Sequence, residues 1–327
     1  MPNRRTLLSR LKQCLLGVVV LLVGCILLEQ ALEVRDRAEL GASETFCTVA
    51  GKKVRYRLEG AEHSGPTVVL LNGLNACLEQ WAWVQRGLSA DSRVLTYDRG
   101  ATGLSDWSDA HDADRQASEL ASVLEATGTK DGFVIVGYSS STFLARLFVA
   151  RYPQLVKGLV FIDPATLEER AATPPYRVVS YRRDFARATI TGFLRSLVGY
   201  TRLYGFLHYL HEPPPEPAKQ KARAITVLSH HYLAVALDAW DLDRSSAQAG
   251  AAGLNFGSRP VGVLSTFTLD QDRFTYAGQH ELVEKTTQGT FRFAGHIEHG
   301  DLLLPGKEKP VTDFIHEMAL RVRARGP

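Results

Sequence analysis

The sequence predicts an α/β protein: a mostly parallel sheet flanked by helices, with an inserted helical cap and an N-terminal membrane-anchor helix. Three observations predict it. From about residue 46 to 164, short apolar strands alternate with amphipathic helices, an order that calls for parallel strands covered on both faces. Between residues 165 and 255 nothing alternates like a strand, and aromatic-rich helical pieces replace the rhythm. Residues 14–28, CLLGVVVLLVGCILL, form an uncharged apolar run preceded by Arg4, Arg5, Arg10 and Lys12. These features divide the chain into an anchor (1–32), a linker (33–45), a first core segment (46–164), a cap (165–255) and a second core segment (256–327).

A chain of 327 residues, 45% hydrophobic and 22% charged, suits one large globular unit. Lys+Arg of 38 against Asp+Glu of 35 leaves +3, with much of the excess at the two ends, which gives no footing for nucleic acid. The basic block before the apolar run orients the N-terminus toward the cytoplasm and places the rest outside it, as a single-pass membrane protein. The alternatives are a secreted protein with a cleaved signal, or a lipoprotein, since Leu22-Val23-Gly24-Cys25 resembles a lipoprotein box. Ile26, Leu27 and Leu28 continue the apolar run past that point. Cys47 and Cys77 fall in the exported part; they are expected to pack as small apolar residues, a disulfide being the alternative.

Taken in order, 33–44 is charged. Strands at 46–49 and 54–59 flank the Ala50-Gly51 turn and form a hairpin. Residues 67–71 make a continuous apolar strand ending in Asn72-Gly73-Leu74-Asn75. A helix carrying Trp81, Trp83, Val84 and Leu88 precedes the strand 93–97, which runs into YDRGATGLS. The amphipathic stretch 113–127 reads as a helix. Next comes FVIVGYSSSTFLARLFVARY, read as buried strand, abrupt turn and helix, with Ser139 at the turn. The strand 158–162 ends at Asp163-Pro164. In the cap, helical pieces at 176–181, 193–209 and 222–240 surround the acidic-proline run 212–217. Tyr181, Phe185, Phe193, Tyr200, Tyr204, Phe206, Tyr209 and Trp240 are expected either to line an apolar substrate cavity or to pack the small helices together. The sheet resumes at 260–266, followed by a helix at 280–287, a strand at 290–293 and a closing helix at 311–322.

The chemistry centres on Ser139. A serine lifted above a sheet edge at a helix start lies beside free backbone N–H groups, which hold the charge of an attacked carbonyl oxygen. GYSSS is G-x-S-x-G with Ser141 in place of the last glycine. The nucleophile needs a base, and the loop Ala294-Gly295-His296-Ile297-Glu298-His299-Gly300 supplies His296, with His299 as the alternative. The orienting acid is expected at Asp270, with Asp272 and Asp163 as alternatives. The oxyanion donors are the N–H groups of Ser140 and Leu74. His208, His211, His230 and His231 lack acidic partners at ligand spacing, so no metal and no cofactor is expected.

With these residues in view, the stretch from about 46 to 320 resembles the α/β-hydrolase fold family. LLNGLN at 70–75 looks like its oxyanion loop, YDRGATGLS at 97–105 like the loop after its fourth strand, GYSSS at 137–141 like its nucleophile elbow and GHIEH at 295–299 like its histidine loop. FLARLFVARYPQLVKGLVFIDP, residues 143–164, is similar to members with esterase, lipase or peptidase assignments. The resemblance implies a serine hydrolase cleaving a carboxylic ester of a small or lipid-like acyl substrate. Members that open epoxides or remove halogens carry an aspartate at the elbow, where this chain has Ser139. An aminopeptidase or amidase of the same fold would need acidic cap residues such as Glu168, Glu169 or Glu212 to hold a substrate ammonium. A binding protein without chemistry is the third reading. The family usually has histidine at the position of Asn72 and glycines at those of Ser141 and Thr142; the β-branched Thr142 is expected to push the turn outward or demand a small neighbour.

Overall fold

The computed structural model describes residues 4–166, 175–209, 217–268, 270 and 272–325. Its centre is an eight-stranded sheet: β1 (Thr45–Val49), β2 (Lys52–Glu59), β3 (Thr67–Leu71), β4 (Val94–Tyr97), β5 (Phe133–Tyr138), β6 (Val156–Ile162), β7 (Pro260–Ser265) and β8 (Gln288–Phe293). The spatial order is β1-β2-β4-β3-β5-β6-β7-β8. β1 and β2 are antiparallel, β2 meets β4 antiparallel, and every pairing from β4 to β8 is parallel. The central parallel strands are mostly apolar because helices cover both faces: β3, β5 and β7 are buried at every position, whereas the edge strand β8 carries Gln288 and Arg292 and is largely exposed.

The strand period of two sorts side chains between two cores. Val69, Leu71, Ile135 and Phe161 face Leu120 and Val123 of α3 (Ala113–Ala126) and Leu144 and Phe148 of α4 (Ser141–Arg151). Val68, Leu70, Val134 and Val160 face Val84 and Leu88 of α2 (Ala82–Leu88) and, at the chain's end, Phe314 and Met318 of a helix over Lys309–Arg323. Cys47 is a buried free thiol in the first of these cores, and Cys77 a buried free thiol in a smaller cluster with Leu104, Ile225 and Leu228. Asp112 caps α3 by accepting from the N–H groups of Asp114 and Arg115.

Between β6 and β7 the chain leaves the sheet for α5 (Pro175–Leu197), α6 (Tyr200–Tyr209), α7 (Pro217–Thr226), α8 (Ser229–Trp240) and α9 (Leu242–Ala252). After β7 come α10 (Arg273–Glu284), β8 and α11 (Lys309–Arg323). The stretch 222–240, expected as one helix, is interrupted at Val227 and Leu228, where Leu228 N–H turns back to the Ile225 carbonyl and Leu228 itself is buried. α9 has no counterpart in the sequence reading, because its small and polar residues give no apolar stripe. Glu168, Glu169, His211 and Glu212 lie outside the described residues, as do the side chains of Tyr181, Phe206, His208 and Tyr209.

The N-terminal helix α1 spans Arg4–Gly41, and its stretch Leu8–Gly41 is long and apolar enough to cross a membrane. The charged segment expected as a linker is helical to Gly41. Two of its carboxylates, Glu33 and Asp36, and Glu29 just before it are held by the cap, which supports the continuity. Glu29 takes a bidentate pair from Arg202 of α6, Asp36 pairs with the same guanidinium, and Glu33 accepts from Ser229 N–H and Oγ at the start of α8 and from His230.

Candidate active site

The register of three adjacent strands brings the candidate residues to one edge. β3, β5 and β6 lie side by side and parallel, with Leu71 opposite Gly137 and Tyr138 opposite Ile162. The residues just beyond their carboxyl ends, at 72–74, 139 and 163, therefore share that edge. Ser139 has φ 55° and Asp163 φ 41°, left-handed conformations that cost a non-glycine residue about 1–2 kcal/mol each. Both strained residues are held from their neighbours: Ser139 N–H donates to the Ile162 carbonyl at 3.1 Å, and Asp163 N–H to that of Leu264 at 2.7 Å. Gly73 permits the close approach of the β3 loop, since a Cβ there would lie 3.0 Å from the Tyr138 ring and 3.6 Å from Ser139 Cβ.

Ser141 and Thr142 are both hydrogen-bonded within the elbow. Ser141 Oγ accepts from Tyr138 N–H at 2.8 Å and lies within donating distance of the Tyr138 and Leu71 carbonyls, at 2.8 and 3.1 Å. Thr142 is fully buried, and its hydroxyl donates to the Ser139 carbonyl at 2.8 Å. The threonine's polar branch thus turns back on the elbow.

The carboxylate–histidine pair at this edge is Asp163 with His299. Asp163 is 2% exposed, and its Oδ2 lies 2.6 Å from His299 Nδ1. An ionised carboxylate only accepts, so Nδ1 carries the proton and Nε2 is left as the ring's acceptor when the imidazole is neutral. Thr266 supplies two further bonds to Asp163, from its N–H at 3.1 Å and its hydroxyl at 2.7 Å, and Gln279 Nε2 adds a third at 3.3 Å. Burial alone would raise the Asp163 pKa; the bonds from His299 and Thr266 outweigh it and hold the carboxyl below its usual range. The imidazole of His299 stacks on the Tyr138 ring with centroids 4.9 Å apart and planes at 14°, and Tyr138 Oη donates to the His299 carbonyl at 2.5 Å. The residue preceding Ser139 therefore grips both the ring and the backbone of His299.

The structure does not bring His296 together with Asp270. His296 is exposed and meets Phe293 edge-on at 5.5 Å. Asp270 is exposed in a turn beyond β7, and Asp272 caps α10 by accepting from Thr275 N–H at 3.1 Å and Oγ1 at 2.9 Å. The physical reason lies in the loop after β8: a single 3-10 turn over His299–Asp301 folds the chain back, so the second histidine of GHIEH, three residues on, faces the sheet edge. The carboxylate follows the same logic, because Asp163 is one residue past a strand adjacent to β5, whereas Asp270 is five residues past β7.

Leu74 and Ser140 line one recess together with Arg99, His111, Phe143 and Asp238. Arg99, in the loop after β4, was not singled out by sequence reasoning. Its guanidinium donates to the carbonyls of Asn72 and Gly73, the latter at 3.2 Å, and to Asp238 of α8 at 3.3 Å. His111 Nδ1 takes the other oxygen of Asp238 at 2.8 Å. Asn72 Nδ2 donates to the Tyr97 carbonyl at 3.0 Å. Two carbonyls of the β3 loop are thus pinned by one buried cation, which fixes the direction in which the next N–H groups point. The signal for this was the arginine inside YDRGATGLS, but its partners are backbone atoms 26 and 27 residues away.

A profile described as the alpha/beta hydrolase fold matches residues 66–297, more than half of the chain. The chain belongs to the α/β-hydrolase fold family. It is 31% identical over 103 residues to the uncharacterized protein YqjL of Bacillus subtilis (strain 168), a match covering 31% of this chain and 41% of that protein. The crystal structure of a membrane phospholipase A, described as a bacterial virulence factor, is similar over 98% of this chain and 99% of that one, at 20% identity and a TM-score of 0.56. The haloalkane dehalogenase DatA of Agrobacterium tumefaciens C58 aligns over 86% of this chain and 97% of its own, at 16% identity and a TM-score of 0.63. At such identities these two structures carry the fold alone.

Proposed function

We propose that the protein is a serine hydrolase that cleaves a carboxylic ester through an acyl-serine intermediate, with Ser139 as nucleophile, His299 as general base and Asp163 as the orienting acid. The observation that carries this reading is the 2.6 Å contact between Asp163 Oδ2 and His299 Nδ1 at the strand edge where Ser139 adopts φ 55°. Asp163 holds the tautomer in which His299 Nε2 can take the Ser139 proton as Oγ attacks the carbonyl carbon. The oxyanion that forms is met by the N–H groups of Leu74 and Ser140, and loss of one such donor costs about 3 kcal/mol of transition-state stabilisation. His299 then gives its proton to the departing alcohol, and deprotonates the water that hydrolyses the acyl-serine.

The same proposal takes α1 as a single-pass anchor with the hydrolase on the extracytoplasmic side, supported by the basic block ahead of the apolar stretch. The acyl substrate is small or lipid-like, and the reaction needs no cofactor. Ester cleavage is preferred to amide cleavage on chemical grounds, an alcohol being the better leaving group, and to dehalogenation because the elbow carries serine. A fluorophosphonate probe tests the reading: one equivalent should label Ser139 in the full chain, and Ser139→Ala should abolish labelling together with hydrolysis of p-nitrophenyl esters. Folded protein that neither labels nor hydrolyses esters would overturn it.

A further inference from the structure

The cap carries an apolar face that no described residue covers. Ile190 and Leu194 stand one turn apart on the outer side of α5, Tyr200 and Leu203 one turn apart on α6, and they are 54, 53, 49 and 56% exposed. The opposite side of α5 is the packed one, with Thr189 and Ser196 buried. Tyr200 and Tyr204, expected in a substrate cavity or a helix contact, are thus on the outside of the cap. Large apolar side chains exposed at one-turn spacing on two successive helices point to a contact with something other than water.

Its place in the fold says what that is. Gly199 joins α5 to α6, and a Cβ there would lie 3.0 Å from a Glu29 carboxylate oxygen. Glu29 is the first charged residue after the run 14–28, and it is clamped by Arg202, the neighbour of Leu203. The exposed face therefore begins at the level where α1 leaves its apolar stretch. The composition of α5 is one-sided in charge, with five arginines against the single acidic residue Asp184. Arg187 and Arg195 are exposed beside the patch, and Arg195 lies 5.5 Å over the Tyr200 ring. Leucine and isoleucine flanked by tyrosine and arginine is the composition of a surface seated at the headgroup level of a bilayer with anionic lipids.

We propose that this face of the cap, the outer side of α5 with the first turn of α6, docks on the lipid bilayer that α1 crosses. Ile190, Leu194 and Leu203 enter the headgroup–acyl boundary, while Tyr200, Arg187 and Arg195 meet the headgroups. The inference rests on α1 being a membrane anchor. It is tested on the full chain in vesicles of phosphatidylcholine and phosphatidylglycerol, with Cys14 and Cys25 replaced by serine and single fluorophores at Ile190→Cys, Leu203→Cys, Leu21→Cys in α1 and Lys130→Cys at the opposite edge of the sheet. Emission at 190 and 203 should be quenched several-fold more by doxyl-labelled lipid than at 130, and be shielded from aqueous iodide. If 21 is quenched by lipid while 190 and 203 behave like 130, the anchor stands and the docking is refuted. Shielding from iodide without quenching by lipid means that a second copy or another protein covers the face, and also refutes it. No lipid quenching at 21 removes the anchor and the docking together.

Discussion

At the level of single residues, the proposed assignment of base and acid rests on one contact. His296 and His299 sit three residues apart in the same glycine-bounded loop, yet only His299 has the buried carboxylate at Nδ1 and the Tyr138 ring beneath it. Replacing His299 by alanine should lower kcat for a p-nitrophenyl ester at least about a thousandfold, whereas the same change at His296 should leave it nearly unaltered. Equal losses in the two variants would overturn the assignment. Asp163→Asn keeps the shape but offers an N–H to Nδ1, which favours the tautomer with its proton on Nε2 and no acceptor for the serine proton. A fall of about ten-thousandfold in kcat with little change in KM is expected. Because the Asp163 pKa is lowered in the folded protein, its stabilising contribution is complete above the ordinary carboxylate range and fades only as pH falls through the depressed value.

At the level of elements, strands and helices were legible in the sequence because burial imposes a period, and the site was legible only as far as chain order goes. β3, β5 and β7 could be read from continuous apolar runs, and Ser139 from its position between a strand and a helix. Asp163 pairs with a residue 136 positions away, and Arg99 with carbonyls of another loop; such contacts leave no period to detect. The helical continuity of 33–41 escaped for the same reason, since the cap residues that occupy Glu33 and Asp36 are 196 and 166 residues distant in the chain. Two substitutions probe these supports. Arg99→Lys keeps the charge but loses the fork that spans two carbonyls, so the β3 loop and its N–H at Leu74 should be less well aimed. A loss of about 1–3 kcal/mol, or roughly ten- to a hundredfold in kcat, should appear without loss of fold by circular dichroism. Ser141→Gly restores the usual family residue yet strips Tyr138 N–H of its partner, and should lower stability by about 1–3 kcal/mol in a thermal melt rather than raise it.

At the level of the whole molecule, α1, cap and core meet around two histidines of α8. His230 bridges Glu33 of α1, at 2.9 Å, to the Gly103 carbonyl, at 2.8 Å, and His231 accepts from Gly103 N–H at 3.1 Å through Nδ1. His231 has no exposed surface, and burial, followed by the positive fields of His230 and Arg99, pushes its pKa from 6.5 down to about 3. Below pH 6.5 the unfolded chain takes up a proton that the folded chain refuses. Stability therefore falls as pH drops from 6.5 toward 3, by at most about 1.4 kcal/mol per pH unit from this group. The bond that would be lost is one of those that fasten the cap to the YDRGATGLS loop, so acid should loosen the cap before it melts the sheet. The full chain in detergent should show a thermal midpoint that declines on acidification from pH 7 to 5, with proteolytic cleavage in the cap rising over the same interval. His231→Gln, which keeps an acceptor for Gly103 N–H but does not titrate, should flatten both trends. Parallel declines in the two proteins would mean that other groups carry the pH dependence and that the His231 contact does not govern cap docking.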